Sequence, residues 1–292
     1  MNALITKLAP LAITLTLAAT AGCGASQTPL SMQVYTAGEA GFHVTSTLIE
    51  GEREAVLIDA QFTLSEGANV AEWVAATGKE LTAIYITHAH PDHYFGVEKV
   101  LERFPNARLL ATPETIEAME ETAADKVAQW KPIYGDDLTD TPLVPEALTS
   151  GVIELEGAEL EIEAVAQADT HPATIVRVSE LDAVIVGDLA YSHVHVWLAE
   201  VDADGRQRWV DSLAEVAASS PAVVVAGHKL PALADSPEVL DETQAYIEGF
   251  GSMAAAHSDA AGLAEAVKGA FEGYALPIIA DISAQAALPA AE

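Results

Sequence analysis

The chain is short of cations and cysteines, and each shortage closes off a class of function. Only 13 Lys and Arg stand against 44 Asp and Glu in 292 residues, a formal net charge of -31. A polyanion of that size repels nucleic acid and anionic lipid, and it would hold an anionic substrate only where metal ions reverse the local field. Cys23 is the only cysteine. An intrachain disulfide is therefore excluded, and no thiolate is available as a metal ligand inside the folded part. The apolar run over 8–21 is also shorter than the roughly 20 residues that a membrane-spanning helix needs.

That run has the layout of a secretory signal peptide, with Lys7 before it and small residues after it. Thr20-Ala21-Gly22-Cys23 resembles a bacterial lipobox, in which the cysteine is lipidated and becomes the mature N-terminus. It departs from the usual pattern at Thr20, where Leu is common, so simple cleavage without lipid is the alternative. The expected organisation is a signal peptide over 1–22, a tether over 23–31 and one folded domain over 32–292. The expected location is the periplasm or cell envelope, as a lipoprotein with a membrane tether through Cys23.

Half of the residues are apolar, enough for a sizeable core. Apolar periodicity predicts strands over 33–36, 42–49, 55–60, 81–86 and 108–111, with helices over 66–77, 95–104 and 113–130 between them. A Pro-rich polar stretch over 131–150 reads as a long loop that shapes a site. Beyond it come a hairpin over 152–155 and 160–165, strands over 174–178, 183–186 and 222–226, and helices over 209–218, 236–250 and 257–271. The Ala-rich end past 282 is expected to fray. No linker separates the two halves, and mixed sheets packed face to face with helices outside fit this alternation.

The most informative segment is His88-Ala89-His90-Pro91-Asp92-His93, just past the strand over 81–86. Imidazole nitrogens and carboxylate oxygens suit zinc, and two metals can divide such a cluster. Extended backbone points His88 and His90 to one side, toward one ion. Asp92 and His93 follow where the chain turns and can address a second. Three more polar residues stand where apolar runs end: His171, Asp188 and His228. Rigid strands aim loop residues well, so such positions suit ligands.

Thr87 to His93, followed in order by His171, Gly187-Asp188 and Gly227-His228, resembles the signature of the metallo-beta-lactamase superfamily. The resemblance extends from about residue 32 to 250. It implies an α/β fold, an αβ/βα four-layer sandwich of two mixed β-sheets with outer helices. It also implies two Zn2+ per chain: His88, His90 and His171 on one, Asp92, His93 and His228 on the other, and Asp188 bridging both. Implied with them is a dinuclear zinc-dependent hydrolase, in which a metal-bridging hydroxide attacks the carbonyl of a small ester, lactone or amide. Asp92 would orient the nucleophile or accept its proton.

Within that superfamily the sequence favours some branches over others. True β-lactamases of this fold usually lack the bridging Asp, and one large subclass uses Cys nearby; this chain has Asp188 and no Cys there. Di-iron oxygen reductases usually carry Glu where His90 stands. Glyoxalase II-like thioesterases share the Thr87 to His93 pattern but bind glutathione through basic residues near the C-terminus, where this chain offers only Lys229 and Lys268. A thioesterase or phosphodiesterase of the same fold remains the enzymatic alternative, and an iron-dependent redox protein or an inactive metal-binding protein the alternative outside hydrolysis. Tyr191 resembles a catalytic tyrosine that assists ring opening in N-acyl-homoserine lactonases, where a phenol donates to the substrate carbonyl. His193 and His195 read as a polar pocket wall rather than as ligands. Trp130, Tyr134 and Trp197 are candidates for an apolar cleft or for the core.

Overall fold

A computed structural model describes residues 29–288; residues 1–22, read as a signal peptide, and Cys23 lie outside them. Two sheets form. In the first, β1 (Ser31–Thr36), β2 (Thr45–Glu50), β3 (Glu54–Ile58), β4 (Glu80–Tyr85), β5 (Arg108–Ala111) and β6 (Glu146–Ala147) lie side by side in that order. The first three are antiparallel, and β3 to β6 run parallel. Parallel neighbours need crossovers, supplied here by α1 (Leu64–Ala76), α2 (Val97–Arg103) and α3 (Pro113–Tyr134). Thr63 and Thr112 cap α1 and α3 by accepting the backbone N–H groups of Glu66 and Thr115.

The second sheet joins β7 (Val152–Leu155), β8 (Ala158–Ala164), β9 (Thr174–Val178) and β10 (Ala183–Ser192) as antiparallel neighbours. The helix α4 (Ala203–Ala218) then returns the chain to β11 (Val223–Lys229), which lies parallel to β10. Three helices follow: α5 (Glu238–Ala256), α6 (Ala260–Ala270) and α7 (Pro277–Ala287).

Successive strand residues point to opposite faces, so each strand feeds two cores. Val56 and Ile58 of β3, Tyr85 of β4, Ile185 of β10 and Val225 of β11 meet between the sheets. Leu57 and Ile84 point the other way, onto Val70, Val74, Val97 and Val100 of α1 and α2. Val184, Val186 and Val224 pack outward with Trp209, Tyr246, Phe250 and Leu263 of the C-terminal helices. Three apolar seams between four layers are the architecture expected.

Several boundaries differ from the sequence expectation. The helix α3 continues through Pro132 to Tyr134, ending at Gly135 with φ of 57°. One hydrogen bond lost near the end of a long helix does not stop it. The stretch 131–150 is thus part helix, with the short β6 near its end. The helix α7 runs to Ala287 instead of fraying at 282, held by buried Ala280 and Ala284 and by Ser283 Oγ, which accepts the Leu198 N–H at 3.0 Å. Finally, β10 and β11 extend to Ser192 and Lys229, so Asp188 and His228 lie within strands rather than after them. Register shifts around Gly187 let β10 bend without leaving the sheet.

Candidate metal centre

The two sheets are stitched together at one edge, where the polar residues collect. His88 forms a backbone bridge to Ala173, and Val44 one to His228. Thr174 Oγ1 donates to the Thr87 carbonyl at 2.7 Å, and Thr45 Oγ1 to that of Ala226 at 2.7 Å. Two glycines permit the close approach. Gly187 adopts φ of 49° against the Thr87 side chain, and a Cβ on Gly227 would collide with Asp188 Oδ1.

Seven side chains converge there as two groups, each with ligand atoms within 4.8 Å of one another: His88, His90, Asp169 and Asp188, and Asp92, His93 and His228. His93 Nε2 lies 3.1 Å from Asp188 Oδ1, and His228 Nε2 lies 3.1 Å from Asp188 Oδ2. His88 Nε2 stands 3.7 Å from Asp188 Oδ2, and His228 Nε2 3.4 Å from Asp92 Oδ2. Asp188 thus faces three imidazoles from both groups, as a bridging carboxylate would.

The expectation for His171 is corrected. That side chain is exposed and belongs to neither group, whereas Asp169, two residues earlier, is fully buried with Oδ2 2.8 Å from His90 Nδ1. The loop between β8 and β9 explains this. Its neck is closed by the Val165 N–H donating to the Ala173 carbonyl at 3.1 Å, and its tip turns through the Ala168 N–H donating to Thr170. Buried Ala168 anchors the inner side, which carries Asp169 into the cluster and leaves His171 outside.

Each imidazole uses one nitrogen to fix its ring and turns the other inward, as metal-ligating histidines do. His88 Nδ1 lies 3.0 Å from Thr87 Oγ1, His93 Nδ1 2.8 Å from Asp59 Oδ2, and His228 Nδ1 2.7 Å from the Phe42 carbonyl. His90 is reversed: its Nε2 meets Glu200 Oε2 at 3.3 Å, and Lys126 Nζ holds the other oxygen of Glu200 at 3.0 Å. Inside, His88 Nε2, His93 Nε2, Asp169 Oδ1 and Asp188 Oδ1 are buried without a hydrogen-bond partner. Buried polar atoms are rarely orphaned, and four in one place point to bound ligands that they would share. Divalent cations fit that donor set of imidazole nitrogen and carboxylate oxygen.

Proton affinities tell the same story. Burial pushes Asp169 up to about 7, only partly offset by His90. Burial would likewise raise Asp188, but His228, His93 and His88 win and hold it well below the ordinary carboxylate range. Burial would lower His90 and His93, yet Asp169 beside the first and Asp188 beside the second raise both well above an ordinary histidine. His88 is lowered by burial and by His93. Glu200 is drawn down to about 2: burial works against this, and His90 and Lys126 overcome it.

Tyr191 lies in β10, stacked parallel on His228 with ring centroids 4.9 Å apart. Its hydroxyl donates to Asp188 Oδ2 at 2.7 Å and approaches Asp169 Oδ2 at 3.1 Å. Burial and these carboxylates raise it well above an ordinary phenol, so it keeps its proton. A cavity opens beside this group, walled by Phe42, Phe62, Trp130, Val194, Trp197, Leu276 and Ile279, with Lys126, Tyr191 and His195 as polar points. Trp130 and Trp197 therefore line a cleft. Tyr134 instead packs edge-on against Phe62 at 4.8 Å. His193 adopts φ of 55°, which breaks the strand alternation, and stacks on Tyr274, so of the two neighbouring histidines it is His195 that reaches the cavity.

Sequence reasoning missed Asp59 and Glu200. Asp59 is buried, accepts from the Thr87 N–H and hydroxyl at 2.9 Å each, and orients His93. It ends an apolar run just as Asp188 does, and the same signal could have found it. Glu200 had no local signal.

Residues 40–228 match the family model described as the Metallo-beta-lactamase superfamily. The chain is 48% identical over 44 residues to a hydroxyacylglutathione hydrolase of Francisella tularensis subsp. novicida, 15% of this chain and 18% of that protein. It is 36% identical over 69 residues to the uncharacterized protein YobT of Bacillus subtilis, 24% of this chain and 29% of that one. The chain thus matches less than a third of the length of either curated relative. Among solved structures, a metallo-beta-lactamase family protein from Thermus thermophilus superposes with a TM-score of 0.61 at 18% identity, covering 86% of this chain and 91% of that one. A metallo beta lactamase from Hirschia baltica gives 0.54 at 18%, covering 75% and 92%.

Proposed function

Because the chain belongs to the metallo-beta-lactamase superfamily, we propose that it is a hydrolase holding two divalent cations, zinc first among them, and cleaving a small uncharged ester, lactone or amide. The observation that supports this most is the set of inward-facing orphan atoms on His88, His93, Asp169 and Asp188, of which the two carboxylates reach the wall of a largely apolar cavity. In this reading His88, His90 and Asp169 hold one cation, Asp92, His93 and His228 the other, and Asp188 both. Bound there, such cations supply Lewis acidity and a nucleophile that ionises near neutral pH.

The protein's own groups do the rest. Asp92 borders the cavity, where it would orient the nucleophile or take up its proton. Tyr191 keeps its proton, and its hydroxyl would turn from Asp188 to donate to the oxygen on which negative charge develops. Phe42, Trp130 and Trp197 exclude water and take up the apolar part of the substrate. A thioester is the second reading, supported by the short match to a hydroxyacylglutathione hydrolase. Against it, the cation lining the cavity, Lys126, is already engaged by Glu200 and is poorly placed to hold the carboxylates of a glutathione conjugate.

Elemental analysis of purified protein, then turnover of lactones, esters, thioesters, β-lactams and a phosphodiester, tests the proposal. Zinc in about two equivalents, with lactone or ester cleavage that a chelator abolishes and zinc restores, is expected. Iron without hydrolysis of any of them would refute it. Export and anchoring at Cys23 belong to the same proposal and rest on the sequence; Cys23→Ser should release the protein from the membrane fraction.

A further inference from the structure

We infer that His195 is a substrate-binding residue whose Nε2–H donates a hydrogen bond to a neutral oxygen acceptor on the substrate, apart from the bond that is cut. The inference rests on the reading of the cavity as the substrate site and adds a second recognition point to it.

Tyr246 decides which nitrogen of His195 carries the proton. Its hydroxyl is buried and lies 2.8 Å from His195 Nδ1, and the backbone N–H of Val196 also points at its oxygen. If His195 donated from Nδ1, the tyrosine proton would have no acceptor among the described residues. A buried donor left unmade costs about 1–3 kcal/mol, so the hydroxyl donates and Nδ1 accepts. A neutral imidazole carries a single N–H, which then sits on Nε2. Burial, aided by Lys268, keeps the ring neutral by drawing its pKa down to about 4. No described residue pairs with Nε2, on a ring that forms part of the cavity wall.

The ring is also rigidly held. Val194 bridges to Ala275, the His195 N–H donates to the Ala275 carbonyl at 3.0 Å, and the imidazole lies against the rings of Tyr246 and Tyr274. A fixed, neutral, unpaired N–H beside Val194, Leu276 and Ile279 in the cavity wall suits an amide or ester carbonyl better than a carboxylate, because Lys126 in that wall is already paired with Glu200. Tyr246 and Tyr274 lie beyond the residues 40–228 that match the family. The support for this contact therefore comes from outside the shared segment.

The test uses the zinc-loaded enzyme with two lactones, γ-butyrolactone and α-acetamido-γ-butyrolactone, which differ by one neutral acceptor group. In His195→Phe the KM for the acetamido lactone should rise about 10-fold more than that for the plain lactone, with kcat moving less than KM and zinc content as in wild type. His195→Gln, which keeps a donor at similar reach, should recover most of the difference. Equal effects on both lactones would overturn the inference. Nitrogen NMR of histidine-labelled enzyme supplies a readout independent of turnover: the Nε2–H tautomer at His195, shifting toward Nδ1–H in Tyr246→Phe. Finding Nδ1–H in the wild type also overturns it. If neither lactone is cleaved, lactones drop out of the proposed function, while a shift of the His195 Nε2 resonance on adding the acetamido lactone still supports this contact and its absence refutes it.

Discussion

The two sheets serve one centre in opposite ways. The first delivers His88, His90, Asp92 and His93 from a single loop after β4, whereas the second delivers Asp169, Asp188 and His228 from three separate elements. Donors in one loop share one backbone path, so placing the loop places them all. Dispersed donors each depend on the register of a different strand or the closure of a different loop. The first sheet supplies a cassette; the second supplies its alignment.

The largest effect should come from the residue that joins the two sides. Asp188→Ala removes the carboxylate facing His88, His93 and His228 and should lower turnover by more than about 100-fold, with loss of bound metal by elemental analysis. Full activity with two cations would dissolve the idea of a shared bridging group. Next comes the pair that separates Asp169 from His171. Asp169→Ala should weaken binding of one cation by about 100-fold in calorimetry, while His171→Ala, on an exposed side chain, should stay within about 2-fold. The reverse order would restore the assignment that the family resemblance implied.

A smaller loss is expected one step out, on the first sheet. Asp59→Ala frees His93 from the carboxylate that fixes its ring and should cost about 10-fold in cation affinity. No change would mean that the loop after β4 holds its shape without that support.

The mildest test is pH. The carboxyl of Asp169 is raised to about 7 by burial, so the metal-free native state binds its proton more tightly than the unfolded chain does. Its contribution to stability is complete below about pH 4 and is lost as pH rises through about 7. Cations compete with that proton and with those on His90 and His93. The thermal stabilisation produced by added zinc should therefore grow from about pH 6 to about pH 8, with proton release seen by calorimetry in buffers of different ionisation heat. A pH-independent gain would exclude Asp169 as a ligand.

How much of this was legible in the sequence follows the same division. The cassette was plain, because four donors within six residues have few other uses. Asp188 and His228 were legible as polar ends of apolar runs, and both lie in the cluster. Asp169 and His171 could not be told apart locally: both sit in Asp169-Thr170-His171, and the side that faces inward is chosen by the Val165 to Ala173 closure across the loop. Glu200 reaches His90 across 110 positions, and the Leu276 and Ile279 wall comes from the start of a helix that periodicity did not announce and the residue just before it.

Residue types and their spacing, on their own, determined the layered α/β class, the chemistry of the donors and the place of the main loop. Those properties follow from side-chain alternation and from what imidazole and carboxylate can bind. Only the tertiary structure decided which of two nearby residues enters the centre, which nitrogen of each imidazole turns inward and which aromatic rings enclose the cavity. Each of these is set by hydrogen bonds and packing between segments far apart in the chain, and no local pattern carries that information.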